Sequence, residues 1–389
     1  MSFYDGLAFF IVLLLGCIPA IILGMKEKRI GNYTILFSIG IIFIIYRETP
    51  LELFYLLLYL FLEWHLIALY QYSLRRFGRN KEIFHHAVLF ALLPLVMAKL
   101  SGFIGHHWFS FLGISYITFK VLQIIIESYD GIIEKNGFSQ TVAFLIFFPT
   151  LSSGPIDRSR RFEQDFARRW ERREYAELLQ KGIWKILLGI LYKFVLSVIA
   201  YDILGRINGR YDPQYVILYA YVYGIYMFFD FAGYSLMAIG TSYIFGICTP
   251  DNFNKPFISR DMKEFWDRWH ISLSHWFRDF LFSRFMTDAI RNKRFKNRLN
   301  AASMGFIVNM LVMGMWHGLT KDYLLYGLYH GVLLAVTEIY QKKKWYRRVK
   351  SKKWYQCISW FVTLNLVMFG FLIFSGKFLE TWAVLMRYL

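Results

Sequence analysis

Cysteine is nearly missing from this chain: Cys17, Cys248 and Cys357 are its only three, far apart and in no metal-ligand spacing. That excludes a disulfide framework and leaves no metal site to expect, and each thiol is expected to be a buried packing group. Acidic residues are scarce as well. Against 45 lysines and arginines stand 27 aspartates and glutamates, a net charge of +18. The surplus lies in loops between apolar runs rather than on one folded module, which excludes nucleic acid as a natural partner. It fits cytoplasmic loops beside anionic lipid, and it can attract an acidic soluble protein. A Gly-x-Ser-x-Gly elbow is absent, so no serine acyl-enzyme is expected. No internal repeat is visible, which speaks against a transporter built from two related halves. The first apolar run, Leu7–Met25, lacks a basic leader and a small-residue cleavage site and reads as a retained span.

What is abundant is apolar surface. Hydrophobic residues make up 57% of the 389, aromatic residues 20%, and the mean hydropathy is +0.37. Apolar runs of about 15–25 residues recur, the mark of an all-α polytopic membrane protein. Leu7–Met25 is followed by Lys26, Lys28 and Arg29, which places the amino terminus outside the cell membrane. Further spans are expected at Tyr33–Tyr46, Pro50–Leu74, Phe84–Ala98, Phe109–Ser128, Leu178–Leu204, Tyr215–Phe245, Leu299–Gly318, Tyr323–Tyr340 and Trp354–Phe374. Phe138–Leu151 is too short, and basic loops flank it on both sides, so it is expected to re-enter rather than cross. The count is about 9–11 crossings with re-entrant segments around a central funnel or tunnel. The whole chain, 1–389, is expected to be one membrane-embedded domain. Residues 1–130 supply amino-terminal spans, 131–340 a catalytic core, and 341–389 a basic loop and last span.

Two histidines carry the chemistry. Met310–His317 is an apolar helical run ending in an imidazole, and the last charge before it is Arg298. At about 1.5 Å per residue the histidine lies roughly 22–29 Å from that charge, so it is expected at membrane depth and buried. Farther upstream, Phe265, Trp266, Trp269, Leu273, Trp276, Phe277 and Phe280 recur at three- and four-residue steps. They predict one amphipathic helix, with Lys263, Asp267, Arg278 and Asp279 on its other side. His270 falls at the buried edge of the apolar stripe, whereas His275 falls toward solvent. Zinc would want a third or fourth ligand that is missing here, but proton abstraction from a hydroxyl needs only one imidazole. Asp230, alone in an apolar run, is expected to pair across helices.

Three stretches carry a resemblance to a known family. They are Phe147-Phe148-Pro149-Thr150-Leu151-Ser152-Ser153-Gly154-Pro155, Trp266-Asp267-Arg268-Trp269-His270-Ile271-Ser272-Leu273, and Trp316-His317-Gly318 followed by His330-Gly331. In order and spacing they resemble the membrane-bound O-acyltransferases, and the likeness covers nearly the whole chain. The resemblance is strongest to members that transfer D-alanine to (lipo)teichoic acid in the Gram-positive cell wall. It implies that His317 is the catalytic histidine and His270 its second motif residue, while His330 is structural. Trp266, Trp269, Ser274, Asn309 and Trp316 are expected to line the substrate tunnel.

The same likeness implies that the protein binds no cofactor of its own. An acidic carrier protein would deliver a D-alanyl phosphopantetheine thioester at the cytoplasmic face, and the acceptor hydroxyl would come from outside. Docking is expected on Arg284, Phe285, Met286, Ile290, Arg291 and Lys293, where an apolar patch is ringed by basic groups. An accessory membrane protein of the same pathway is a further expected partner. Two rivals remain: an acetyl-CoA-dependent O-acetyltransferase of an extracellular polysaccharide, and a proton-coupled transporter.

Overall fold

Backbone amides cannot find water in a hydrocarbon layer, so long apolar runs must fold as helices that satisfy them internally. The computed structural model describes residues 3–104, 109–133 and 137–388, and among these the regular structure is helical apart from one isolated β-bridge. The chain forms a polytopic membrane protein of two compact units, Met1–Ile190 with Tyr234–Pro250, and Leu191–Gly233 with Asp251–Leu389.

The first unit holds α1 (Leu7–Met25), α2 (Gly31–Ile45), α3 (Pro50–Phe77), α4 (Lys81–Ile104), α5 (Ile114–Tyr129), α6 (Phe138–Ile146), α7 (Ser159–Ala167) and α8 (Arg172–Leu191). In the second lie α9 (Ser197–Ile207), the start of α10 (Pro213–Ile244), α11 (Met262–Trp266), α12 (Ile271–Phe277), α13 (Ser283–Arg291), α14 (Arg298–His317), α15 (Lys321–Gln341), α16 (Lys344–Val349), α17 (Lys353–Phe374) and α18 (Lys377–Tyr388). Seven segments among the described residues are long and apolar enough to cross a bilayer: Leu7–Met25, Pro50–Phe77, Lys81–Ser101, Arg172–Ile207, Pro213–Ile244, Arg298–His317 and Lys353–Phe374. The larger count expected from the sequence also includes α2, α5 and α15, which are helical but fall short of that length or apolarity.

Within the first unit α5 is buried on every side, and its polar groups are put to use. The Lys120 ammonium, 1% exposed, donates to the Phe144 carbonyl at 2.9 Å and to Thr150 Oγ1 at 3.2 Å. Phe144 lies in the last turn of α6, where carbonyls lack helical partners and the dipole is negative. α6 stops after nine residues, about 13 Å, too short to cross a bilayer, and Lys120 Nζ satisfies a carbonyl of its last turn. The chain turns back through the buried segment 148–157, where Asp157 pairs with Arg161.

In the second unit the closest helix pair is α14 with α15, and three glycines allow it. A Cβ on Gly327 would lie 2.5 Å from the Met310 carbonyl oxygen, one on Gly314 2.3 Å from that of Tyr323, and one on Gly331 2.8 Å from Ile307 Cα. Small residues let backbones meet where lipid gives helices no hydrophobic reason to associate. Gly370 on α17 likewise leaves room for His330, whose Nε2 would be 2.4 Å from a Cβ there. His330, 1% exposed, thus wedges between α15 and α17, a structural position. Asp230 pairs with Lys193 Nζ at 2.6 Å, which answers its need for a partner.

Two expectations require correction. Cys17 is buried and Cys248 half-buried, but Cys357 is exposed on the outer face of α17, beside exposed Trp354, Ile358 and Phe361. The amphipathic stretch from 262 onward is not one helix: it breaks between Trp266 and Ile271, then passes through a π-helical turn at Arg278–Phe282. Periodicity reported its buried face and was blind to the break.

The glycine contacts give a direct test. Gly327→Val should force α14 and α15 apart and destabilise the protein by at least about 3 kcal/mol, seen as a lower melting temperature in detergent. Gly40→Ala on α2, where a Cβ meets nothing within 4 Å, should be neutral or stabilising by up to about 1 kcal/mol. Equal effects of the two would refute the packing argument.

Candidate active site

His270 occupies the break between α11 and α12 in a left-handed conformation, φ 45° and ψ 50°. A side chain with a Cβ adopts this only at a cost of about 1–3 kcal/mol, so the surroundings must impose it. They do so through an extended segment that runs alongside. Phe253 and Trp269 form an antiparallel bridge, and Asn254 N donates to the Arg268 carbonyl at 2.9 Å. Ile271 N donates to the Asn252 carbonyl at 2.9 Å. The Asn252 side-chain oxygen accepts from Ser272 N at 3.2 Å and Ser272 Oγ at 2.9 Å. Ser274 Oγ donates to the Trp269 carbonyl at 3.2 Å, another group freed by the break.

The imidazole of His270 is 4% exposed and stands edge-on to Phe231, ring centres 4.6 Å apart. Its Nε2 is buried with no hydrogen-bond partner. Burial, reinforced by the nearby His317, holds its pKa well below the ordinary histidine value, so the ring is neutral at physiological pH. His317, 47 positions on in sequence, contributes to that shift, so its charge is felt at His270.

His317 is the last residue of α14, which Gly318 closes. Its ring lies 5.0 Å from Phe374, 5.9 Å from Tyr323 and 6.4 Å from Tyr326. It is half-buried, not fully buried as expected, because it stands at the helix end where the chain opens into the turn to α15. His275, by contrast, sits 4.0 Å from Asp267 with its side chain 39% exposed.

A cavity of about 170 Å³ lies in the second unit. Trp266 and Ser274 reach it from either side of His270, and Phe306, Asn309, Met310 and Met313 reach it from α14. Lys263, Asp267 and Arg278 line it as well. Trp266, Ser274 and Asn309 are therefore brought together, while the other two residues assigned to the tunnel lie outside this cavity. Trp269 packs among aromatic rings, 4.9 Å from Phe371 and 5.0 Å from Phe253. Trp316 stands against His317, ring centres 4.6 Å apart. Among the described residues no group of three metal-ligating side chains is assembled.

The basic stretch assigned to docking forms α13 and the turn after it. Ile290 is 51% exposed, and Arg291 and Lys293 are exposed beside it. Arg284 and Met286 are half-buried. Phe285 turns inward, 6.1 Å from Phe295 and against Gly305 of α14, so part of the apolar patch serves the fold. Sequence reading missed Asn252, Phe231 and Phe374. Of these, Asn252 had a usable signal, a polar Asp251-Asn252-Phe253-Asn254 segment between Pro250 and Pro256.

Comparison with known proteins gives the same direction throughout. The family model described as membrane-bound O-acyltransferase matches residues 42–379. A teichoic acid D-alanyltransferase from Bacillus subtilis is 41% identical, covering 97% of this chain and 98% of its own. Its counterpart from Streptococcus thermophilus is 39% identical over 97% and 96%. A probable alginate O-acetylase from Azotobacter vinelandii is 31% identical over 69% of this chain and 51% of its own.

Two tests follow from the geometry. Asn252→Ala should leave the Ser272 donors unsatisfied, costing about 2 kcal/mol of stability and releasing the constraint on His270. An unchanged melting temperature would remove Asn252 from the design. For His270, the unfolded chain takes up a proton below about pH 6.5 while the folded one resists it. The unfolded state then holds more protons, so stability falls with falling pH, by up to about 1.4 kcal/mol per unit below pH 6.5. His270→Gln should flatten that acid limb in melting curves between pH 7 and 5. An identical slope in the variant would contradict a neutral, buried His270.

Proposed function

The chain belongs to the membrane-bound O-acyltransferase family, and we propose that it transfers D-alanine from a carrier-protein thioester to hydroxyls of teichoic acid. It is a multi-pass membrane acyltransferase. The observation that carries the reading is the pair of motif histidines, His270 buried and electrostatically linked to His317, with a cavity lined by Trp266, Ser274 and Asn309 from the same two segments. The full-length likeness to teichoic acid D-alanyltransferases supports the choice of acyl group and acceptor. Likeness to the alginate acetylase covers only about half of that protein and gives no comparable support for acetyl transfer.

Acyl transfer to an alcohol needs proximity, a base for the hydroxyl proton and stabilisation of the oxyanion. In this reading His317 takes the proton from the acceptor hydroxyl as its oxygen attacks the thioester carbonyl. The negative end of the α14 dipole favours the imidazolium so formed. Neutral His270 holds the carbonyl side of the reacting pair. Collapse expels the thiolate, which takes the proton back from His317, and the ester of D-alanine leaves with the acceptor.

The thioester arm comes from an acidic carrier protein seated on α13, where exposed Ile290 offers an apolar contact and Arg291 and Lys293 supply charge. The amino terminus outside and the carrier on the cytoplasmic side follow from the basic loops. An accessory membrane protein is a further partner in this scheme.

The decisive experiment is transfer of labelled D-alanine from its carrier onto lipoteichoic acid in membranes. His317→Ala should lower it by about 10²- to 10⁴-fold while the variant still inserts and binds carrier. Full activity in that variant would end the mechanism. Charge reversal at Arg291 and Lys293 together should weaken carrier binding about tenfold at low salt, with the difference vanishing near 1 M. Unaltered binding at low salt would move the docking site elsewhere.

A further inference from the structure

The small cavity contains two polar atoms that the protein leaves unsatisfied. Trp266 Nε1 and Asn309 Oδ1 are both buried without hydrogen-bond partners, and each residue is 7% exposed. One is only a donor and the other only an acceptor. Leaving both bare costs stability that a well-packed apolar pair would avoid, so their presence calls for a ligand that answers them.

Position narrows the ligand. Phe306, Asn309, Met310 and Met313 succeed each other at three- and four-residue steps along one face of α14, and the next step on that face reaches Trp316 and His317. Asn309 precedes His317 by eight positions, about 12 Å along the helix. On the other wall Trp266 precedes His270 by four positions, across the break. The cavity is thus lined by residues that neighbour both histidines in sequence. Its charged lining, Asp267 and Arg278, has side chains 60% and 52% exposed, which marks the open end. Between that end and the histidines the walls are Phe282, Phe306, Met310, Met313 and Leu334. Ser274 and the charged Lys263, Asp267 and Arg278 apart, the lining is apolar, and its one orphan donor and one orphan acceptor suit a chain of methylenes interrupted by an amide. A free ammonium would find one neutral acceptor there and a carboxylate only at the mouth, already paired with Arg278 at 3.4 Å.

We propose that Trp266 and Asn309 form a subsite for one amide of the thioester arm, the indole N–H donating to its carbonyl and the Asn309 oxygen accepting from its N–H. This rests on the carrier-thioester reading above and adds to it the groups that set the depth of the arm. A pantetheine arm carries two amides, so fixing one of them fixes how far the thioester carbonyl reaches toward His317. The pair would select an amide-bearing arm against a plain alkyl thioester.

The test uses the full-length protein in membranes and carrier protein loaded with D-alanine on three arms: the native one, and two analogues in which each amide in turn is replaced by two methylenes. With the native arm, transfer establishes the underlying reading. With one of the two analogues, kcat/KM should fall about tenfold to a hundredfold, mainly through KM. Trp266→Phe combined with Asn309→Leu should lose a similar factor with the native arm and lose nothing more with that analogue. Equal turnover of all three arms by the native protein would overturn the subsite, leaving water as the partner of the two orphan atoms while the transfer reaction stands. No transfer even from the native arm would overturn both the subsite and the carrier-thioester reading. The comparison of arms needs no variant, so a folding defect cannot obscure it.

Discussion

His270 keeps a left-handed backbone that its own side chain disfavours, and α11 and α12 are arranged around that one residue. Asn252 accepts from Ser272 twice, while the extended segment on either side of it takes up the peptide groups that the broken helix releases. An unbroken helix would carry the imidazole round with its stripe and leave Trp266 and Ser274 on a different wall. With the break held, His270 turns toward Phe231 and the end of α14, and the residues on either side of it face one cavity. The strain is local, and hydrogen bonds from outside the helix hold it in place.

The same economy of polar groups recurs in the first unit. Its short α6 ends where Lys120 reaches the Phe144 carbonyl, so a cation buried in α5 does what water does at a helix end in a soluble protein. In the second unit Asp230 and Lys193 neutralise each other within an apolar stretch. Glycine does complementary work: Gly314, Gly327 and Gly331 bring the backbones of α14 and α15 together, and this fixes where His317 stands. The motif Gly327-Leu328-Tyr329-His330-Gly331 therefore reads as packing chemistry. His330 is a buried wedge against Gly370, its ring 5.3 Å from that of Trp266 and 4.5 Å from that of Tyr326.

These features make a reaction across a membrane physically workable. In the proposed reaction His317 acts as base from a helix terminus, where half-burial leaves it open to an acceptor while Phe374 and Tyr326 stand against its ring. In the same proposal His270, neutral and deeply buried, would meet the carbonyl as a polar group without bringing charge into the site.

The polytopic helical class, the shortness of the 138–151 run and the three motifs with their two histidines were legible in the sequence. Each of these is a local property: hydropathy, run length or residue type. It also pointed to Trp266, Ser274 and Asn309, but could not separate them from Trp269 and Trp316, which pack elsewhere. Helical periodicity assigns a residue to a face, and a face is shared by core and cavity alike. The break at His270 was invisible because its cause lies outside the helix, in hydrogen bonds from Asn252, 20 positions before Ser272. The exposure of Cys357, the inward turn of Phe285 and the electrostatic influence of His317 on His270 likewise depend on tertiary packing. Which neighbour a side chain meets depends on helices far away in the chain, and no local pattern encodes that.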